Sequence, residues 1–357
     1  MLHSKRILKN MQQLKDIIEN KIINDLTKSF RLSPSQLNKI HETDAEVIRL
    51  ENSAYDLAIT IDTISEEIKT GLYSDPYLIG WMSVIVNMSD LAAVGANPIG
   101  IVISQIFPKD VSTEFLDKIQ AGINDACLKC GTFVLGGDTN FGDQLIISGC
   151  AIGTLEKGKH LKRIGCKPGD RIYLTGKVGY GNAYAFQKLF NKNDYKINYQ
   201  PSAKLEWVKI LKKHSSSCID TSDGVISSLD QIMKLNNMGF KFRNDWDEVI
   251  DLSSTQLFGN HNLPLWFLLA AEHGEFELLF TVPAEKKLEF LKETCHLNLK
   301  PLYLGETMED QKITINIYDR EQSLDTEKIR NLAFEKEFSP TKYLQNLLKM
   351  DALFKRT

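Results

Sequence analysis

The sequence predicts a mixed α/β protein of two domains, and three observations carry that reading. The chain has 357 residues, and at roughly 100–200 residues per domain that length suggests two units, each able to bury its own core. Alternating apolar runs of strand type interleave with helical stripes of three-to-four-residue spacing along both halves. A basic, glycine-containing stretch from Glu156 to Asp170 interrupts the alternation and marks the boundary. The expected division is a helical N-terminal extension over 1–40, a first α/β domain over 41–156, a second over 157–325 and a helical tail over 326–357.

The first element is an amphipathic helix over 6–30, in which Ile7, Met11, Leu14, Ile18, Ile22, Leu26 and Phe30 recur at helical steps. From Tyr55 to Thr63, Leu57, Ile59 and Ile61 alternate with Ala58, Thr60 and Asp62, which is a strand with one small or polar face. A helix follows over 76–94, stopped by Gly95-Ala-Asn-Pro98. Next come a strand over 100–106, a helix opened by Ser112 or Thr113, and strands over 132–135 and 144–154. The second half begins with a strand over 171–175. Helices near 181–190, 202–214 and 224–237 then interleave with strands near 240–243, 277–282, 301–305 and 312–318. Ser339-Pro340 opens a closing helix through Phe354, with proline in its first turn.

Composition excludes several classes. With 43 basic and 46 acidic residues the net charge is −3, unlike a surface built wholly for nucleic acid. The most apolar stretch, 77–94, contains Asn87, Ser89 and Asp90 and makes a poor membrane span. No secretory signal is recognisable at the N-terminus, so a cytoplasmic location without membrane or nucleic-acid partners is expected. Six cysteines are too sparse for a disulfide framework. Cys127 and Cys130 lie on the apolar stripe of a helix that Gly131 closes, which reads as packed thiols rather than a metal pair.

No Walker A loop, protein-kinase signature or Gly-x-Ser-x-Gly elbow is present. Gly176-Lys-Val-Gly179-Tyr-Gly181 reads as a tight strand-to-helix turn. What remains is a set of carboxylates beside small residues: Asp62, Asn87-Met-Ser-Asp90, Gly136-Gly137-Asp138-Thr139 and Asp220-Thr-Ser-Asp223-Gly224. Each alone is an ordinary cap or turn former. Gathered together, they form the oxygen donor set of hard cations such as Mg²⁺, which neutralise the charge of phosphoryl transfer.

These segments, with Thr60-Ile-Asp62-Thr63 and Arg163-Ile-Gly-Cys-Lys-Pro-Gly169-Asp170, resemble the thiamine-monophosphate kinase family of the aminoimidazole ribonucleotide synthase superfamily. The resemblance runs from about residue 42 to about 305. It implies two α/β domains, a homodimer whose N-terminal domains join in a β-barrel, and ATP held with several Mg²⁺ ions between the domains. Carried over, the metal ligands are Asp62, Asp90, Asp138, Asp220 and Asp223, with Asp44 surviving from an earlier acidic motif. Gly137, Arg163 and Ser222 would touch ATP. The implied reaction passes the γ-phosphoryl of ATP to the phosphate of thiamine monophosphate, without a side-chain nucleophile.

The chain departs from the family where the acceptor would be read. One metal-binding aspartate is Thr43, the substrate histidine is Lys69, and the substrate-facing glutamate is Gly274 unless Glu275 has taken its role. The aromatic C-terminal motif is not recognisable. Another small phosphorylated acceptor therefore competes with thiamine monophosphate, and a catalytically decayed, ATP-binding dimeric regulator is the alternative from a different class. Other superfamily members fit less well, since no cysteine precedes Cys127 and the sequence ends Lys355-Arg-Thr357.

Overall fold

Residues 17–190, 197–335 and 339–356 are described by a computed structural model. Two sheets organise them. The first takes its strands from β1 (Glu46–Arg49), β2 (Tyr55–Thr63), β3 (Asn97–Pro108), β4 (Val134–Gly142) and β5 (Ile146–Glu156), in the spatial order β1-β2-β5-β3-β4. Only the β3–β4 pair is parallel.

Two helices cover one face of this sheet. The first, preceded by a short helix α2 (Ser65–Lys69), is α3 (Pro76–Ala93), where the Asp75 carboxylate accepts from the Tyr77 amide and Pro76 opens the first turn. The second is α4 (Thr113–Lys129), capped by Ser112. They approach closely because each carries a glycine at the contact: a Cβ on Gly80 would lie 2.0 Å from the Ile119 carbonyl oxygen, and one on Gly122 would lie 2.1 Å from that of Tyr77. Cys127 is buried on α4 and Cys130 half-buried, and burial pushes their thiols up to about 11 and about 12, as packed thiols should behave.

The other face of the sheet is bare. Ile61, Cys150 and Val102 stand in one cross-strand row, and Ile61 is 69% exposed. Among the described residues the sheet is open, with β1 and β4 as its edges, and closes no barrel. The sequence reading stops β4 at Leu135. Instead the strand continues through Gly136, Gly137 and Asp138 to Gly142, because parallel pairing with β3 persists along its length.

The second sheet is built from β6 (Arg171–Leu174), β7 (Ser217–Asp220), β8 (Gly239–Phe242), β9 (Leu278–Val282), β10 (Leu302–Met308), β11 (Ile313–Ile317) and β12 (Arg320–Ser323), ordered β12-β11-β8-β10-β6-β9-β7. Helices α5 (Tyr180–Phe190) and α7 (Val225–Asn236) fall where the sequence puts them, α6 (Val208–His214) covers only the second half of the helix expected over 202–214, and α8 (Leu252–Asn260), α9 (Phe267–Ala270), α10 (Lys287–His296) and α11 (Thr326–Asn331) are additional. The closing helix, α12 (Pro340–Phe354), is capped by the Ser339 hydroxyl.

The N-terminal stripe forms helix α1 (Ile18–Thr27); the part predicted over 6–16 lies outside the described residues. Asn20 on α1 donates to Gln231 on α7 at 3.2 Å, and Glu19 meets Arg330 on α11 at 3.4 Å. Among the described residues no helix is long and apolar enough to cross a membrane.

Candidate active site

Three of the aspartates singled out from the sequence converge. Asp44 precedes β1, Asp90 lies in the last turn of α3, and Asp220 ends β7. Each offers a carboxylate oxygen within 4.8 Å of the other two. Asp90 can come this close to the sheet because Gly149 on β5 lets α3 settle there: a Cβ at that glycine would meet the Asn87 side chain at 2.7 Å. Hydroxyls then fix the carboxylates. Thr60 donates to Asp90 at 2.5 Å, Ser89 to Asp220 at 2.7 Å and Ser222 to Asp220 at 2.8 Å.

Such crowding is electrostatically unfavourable. At an effective dielectric of ~20, two unit charges 4.8 Å apart repel by roughly 3–4 kcal/mol. Burial, followed by the neighbouring Asp44, pushes Asp220 up to about 7. Burial also raises Asp90, helped by Asp62, Asp220 and Asp44. Asp62 at the end of β2 is raised by burial and by the charges of Asp223 and Asp44, while a hydrogen bond with Asp90 opposes the shift. One cation answers them within the cluster: Arg163 binds Asp44 at 2.8 Å. Burial works against its charge, but Asp44, Asp220 and Asp90 hold its pKa above the usual arginine range.

The cluster also contains buried polar atoms without hydrogen-bond partners, namely Asp44 Oδ2, Thr43 Oγ1 and Arg163 Nε. Buried polar groups are normally satisfied. Oxygen donors with unused lone pairs, packed beside one guanidinium, suit a hard divalent cation and the phosphates that accompany it. The residues present therefore fit Mg²⁺.

Two cavities adjoin this point and share Asp223 and Glu19. The smaller, of about 150 Å³, is bordered by Arg163, Arg330, His41, Asp220 and Ser222. The larger, of about 610 Å³, has apolar walls that include Phe186, Phe258, Phe267 and Leu347, and carboxylates from Glu19, Glu66, Glu67, Asp223 and Glu272. Burial, together with Asp223 and Glu19, pushes Glu272 up to about 9, with Arg330 opposing. Neither set of described lining residues includes a cysteine.

The remaining sequence candidates lie elsewhere. Asp138 is exposed on β4, in register with Ser104, then Ser148, then Thr63. At about 4.8 Å per strand, that sets it roughly 14 Å across the sheet from the end of β2. Gly137 beside it is pressed against β3, where a Cβ would lie 1.9 Å from the Ile103 carbonyl oxygen. Lys69 is exposed at the end of α2 and lines neither cavity.

Glu275 is not available to a substrate. It is 1% exposed, and its Oε1 accepts from the amides of Gly179 at 2.6 Å and Gly181 at 3.1 Å. Burial pushes it up to about 8, although those two amides stabilise its charge. The turn between β6 and α5 is thus the tight turn expected, with Gly179 at φ +93°. Gly274 admits no side chain, since a Cβ there would lie 1.5 Å from the Thr221 carbonyl oxygen. Glu19 and Arg330 were not legible as site residues, because neither falls in a motif; Glu272 and His273 stand in the altered segment 272–278 but were given no role there.

Comparison with known proteins identifies the family and the fold. The "AIR synthase related protein, N-terminal domain" family matches residues 42–155. The fold is similar to that of Escherichia coli HypE, a hydrogenase maturation protein (TM-score 0.65, 17% identity, 86% of this chain and 98% of that one). It is likewise similar to AaThiL complexed with AMPPCP and TMP (TM-score 0.69, 19% identity, 85% of this chain and 94% of that one). Fold and site together define a member of the aminoimidazole ribonucleotide synthase superfamily. A thiamine-monophosphate kinase of Pyrococcus abyssi is 32% identical over 249 residues, covering 68% of this chain and 77% of the relative. The chain belongs to the thiamine-monophosphate kinase family.

Proposed function

We propose that this chain is an ATP- and Mg²⁺-dependent phosphotransferase acting on a small phosphorylated acceptor, with thiamine monophosphate as the first candidate. The observation that carries the reading is the junction of the two cavities at Asp223, beside the carboxylates of Asp44, Asp90 and Asp220. One cavity offers guanidinium and hydroxyl groups suited to phosphate, and the other offers an apolar volume suited to an organic body. The structurally similar AaThiL, complexed with AMPPCP and TMP, supports a fold that takes two such ligands.

Asp44, Asp62, Asp90, Asp220 and Asp223 would hold magnesium, which when bound supplies charge neutralisation for the phosphates. Arg163 and Ser222 orient the nucleotide phosphates. In the transfer, an oxygen of the acceptor phosphate bonds to the γ-phosphorus as the bond to the bridging oxygen of ADP breaks. The product gains a phosphoanhydride and ADP leaves. No side-chain nucleophile is required in such a direct transfer. His41 suits a passive role, since burial and the nearby Arg163 and Arg330 lower its pKa to about 4 and keep it neutral.

The bare face of the first sheet supports a homodimer in which a second copy completes a barrel. That arrangement would also give the exposed Asp138 a covered environment. The test is calorimetric titration with Mg·ATP, then a phosphate-transfer assay on thiamine monophosphate and other phosphomonoesters. Turnover sustains the kinase reading; nucleotide binding with no transfer to any acceptor sinks it in favour of a regulator.

A further inference from the structure

Helix α1 turns its polar side inward. Ile18, Ile22 and Leu26 are 37, 48 and 65% exposed, whereas Glu19, Asn20 and Ile23 line the smaller cavity. Ile17, just before the helix, is fully buried. The described hydrogen bonds that dock α1 on the second half of the chain come from the Ile18 amide to Asn331 Oδ1 at 2.9 Å, from Asn20 to Gln231 at 3.2 Å and from Arg330 to Glu19 at 3.4 Å. Both Glu19 and Arg330 lie outside the stretch of family resemblance, so this contact is an addition to the shared architecture.

Arg330 is held from one side only. Its Nη1 donates to Asp230 Oδ2 and Gln231 Oε1 on α7, both at 2.9 Å, which fixes the guanidinium in place. Its Nη2 meets Glu19 Oε2 at the long end of hydrogen bonding. Glu19 shares the cavity wall with Asp220 and Asp223, and burial and the charge of Asp223 raise its pKa, with Arg330 and Arg163 opposing. The pocket tolerates this anion without being complementary to it. Space tells the same story: the cavity holds about 150 Å³, against the ~300–1,000 Å³ usual for an organic ligand. Withdrawing α1 removes one wall and one negative charge, and leaves Arg330 anchored beside the space it opens.

We infer that α1 is a displaceable plug of the phosphate pocket, and that Arg330 is a further phosphate-binding residue made available when the helix lifts. Glu19 stands in for a phosphate oxygen on Nη2, and the polyphosphate chain of a nucleotide, which offers stronger charge-assisted bonds, displaces it. A helix of 10 residues is easily released, because so short a helix is marginal in water without its docking contacts. The inference rests on the kinase reading above, since that reading assigns the smaller cavity to phosphates.

The test uses the full chain with inorganic tripolyphosphate at fixed Mg²⁺, read by calorimetry and by hydrogen exchange of the α1 amides. In the native chain the probe should speed exchange over α1 at least about tenfold as the helix is released. Glu19→Gln should tighten the probe about fivefold and Asn20→Ala, which loosens the helix without changing charge, about threefold. Adding Arg330→Lys, which keeps a charge beside Asp230 but lacks the second nitrogen, should cancel the gain of Glu19→Gln. Asp25→Asn removes the same charge from the exposed side of α1 and should change nothing; thermal melts check that each variant folds. Protection of α1 by the probe, or unchanged exchange, overturns the inference, as does an equal gain in Asp25→Asn or none in Glu19→Gln and Asn20→Ala. Release of α1 in a chain that transfers no phosphate to any acceptor upholds the plug and rejects the kinase. Transfer with α1 protected or unmoved does the reverse.

Discussion

The Ser89 hydroxyl donates to Asp220 Oδ2 at 2.7 Å, tying the helix that covers the first sheet to the edge strand of the second. Both residues are buried. The bond fixes one carboxylate of the proposed metal site from the opposite half of the chain and, by favouring its charged form, partly offsets the effect of burial. Ser89→Ala should cost about 1–2 kcal/mol of unfolding free energy, as expected for a buried hydrogen bond to a charged group. It should also weaken Mg²⁺ binding several-fold. Denaturant melts with magnesium titration check both, and an unchanged metal affinity would show that Asp220 needs no such support.

Asp90→Asn separates stability from function. Removing a charge from a crowded set of carboxylates relieves repulsion, so the metal-free variant is expected to melt at the same temperature or higher. Mg·ATP binding should fall at least about tenfold, since a hard cation loses a charged ligand. Calorimetry beside thermal melting reads the two effects, and native kinetics in this variant would remove Asp90 from the site.

Stability should fall as pH rises from 5 to 9. Asp220 and Glu275 titrate at about 7 and about 8 in the folded chain, above their ordinary values of 3.8 and 4.5. Between those limits the folded state keeps protons that the unfolded state has released, so raising the pH favours unfolding. Added Mg²⁺ should flatten the part due to the aspartates and leave the part due to Glu275, which Glu275→Gln removes. Melting temperatures across pH, with and without Mg²⁺, test this; a curve that rises over that range contradicts the environments described.

Gly274→Ala should be severely destabilising, by at least about 3 kcal/mol, because the new Cβ would meet backbone rather than a movable side chain. Gly274→Glu therefore cannot restore the family's acceptor contact. Solubility and melting temperature report the outcome, and a stable alanine variant would mean that the segment shifts freely.

Ile61→Lys addresses the bare sheet face. Ile61 is 69% exposed on β2, in the cross-strand row with Cys150 and Val102, and a charge there should shift a dimer toward monomer by about tenfold or more in dissociation constant, within the range of an interface hot spot. Sedimentation velocity measures it, and an unchanged assembly state would move the interface elsewhere.

Much of the architecture was legible because each half repeats clear periodicities. β2 runs from Tyr55 to Thr63, as its alternation dictates. The meeting of Asp90 with Asp220 was legible through motifs, although no local pattern shows that α3 delivers one to the other. The extension of β4 through Gly136, Gly137 and Asp138 was not legible. Consecutive glycines signal a turn locally, whereas here Gly137 allows close strand packing, a property of the partner strand. Glu272 and Glu19 escaped notice because they meet only through tertiary folding of segments more than 250 residues apart. Glu275, read as a candidate substrate contact, faces inward for a reason that lies nearly 100 residues upstream, in the amides of Gly179 and Gly181.

Those two amides open α5, where a helix's positive end ordinarily attracts an anion from solution. In this chain the acceptor is covalently part of the protein. Glu275 Oε1 takes both amides whether its carboxyl is charged or protonated, so a glycine-rich strand–turn–helix that looks ready for phosphate has no vacancy to offer. The consequence is a form of exclusion: a nucleotide approaching the cleft finds these amides already engaged, and the guanidiniums of Arg163 and Arg330 beside the smaller cavity are left to attract its phosphates.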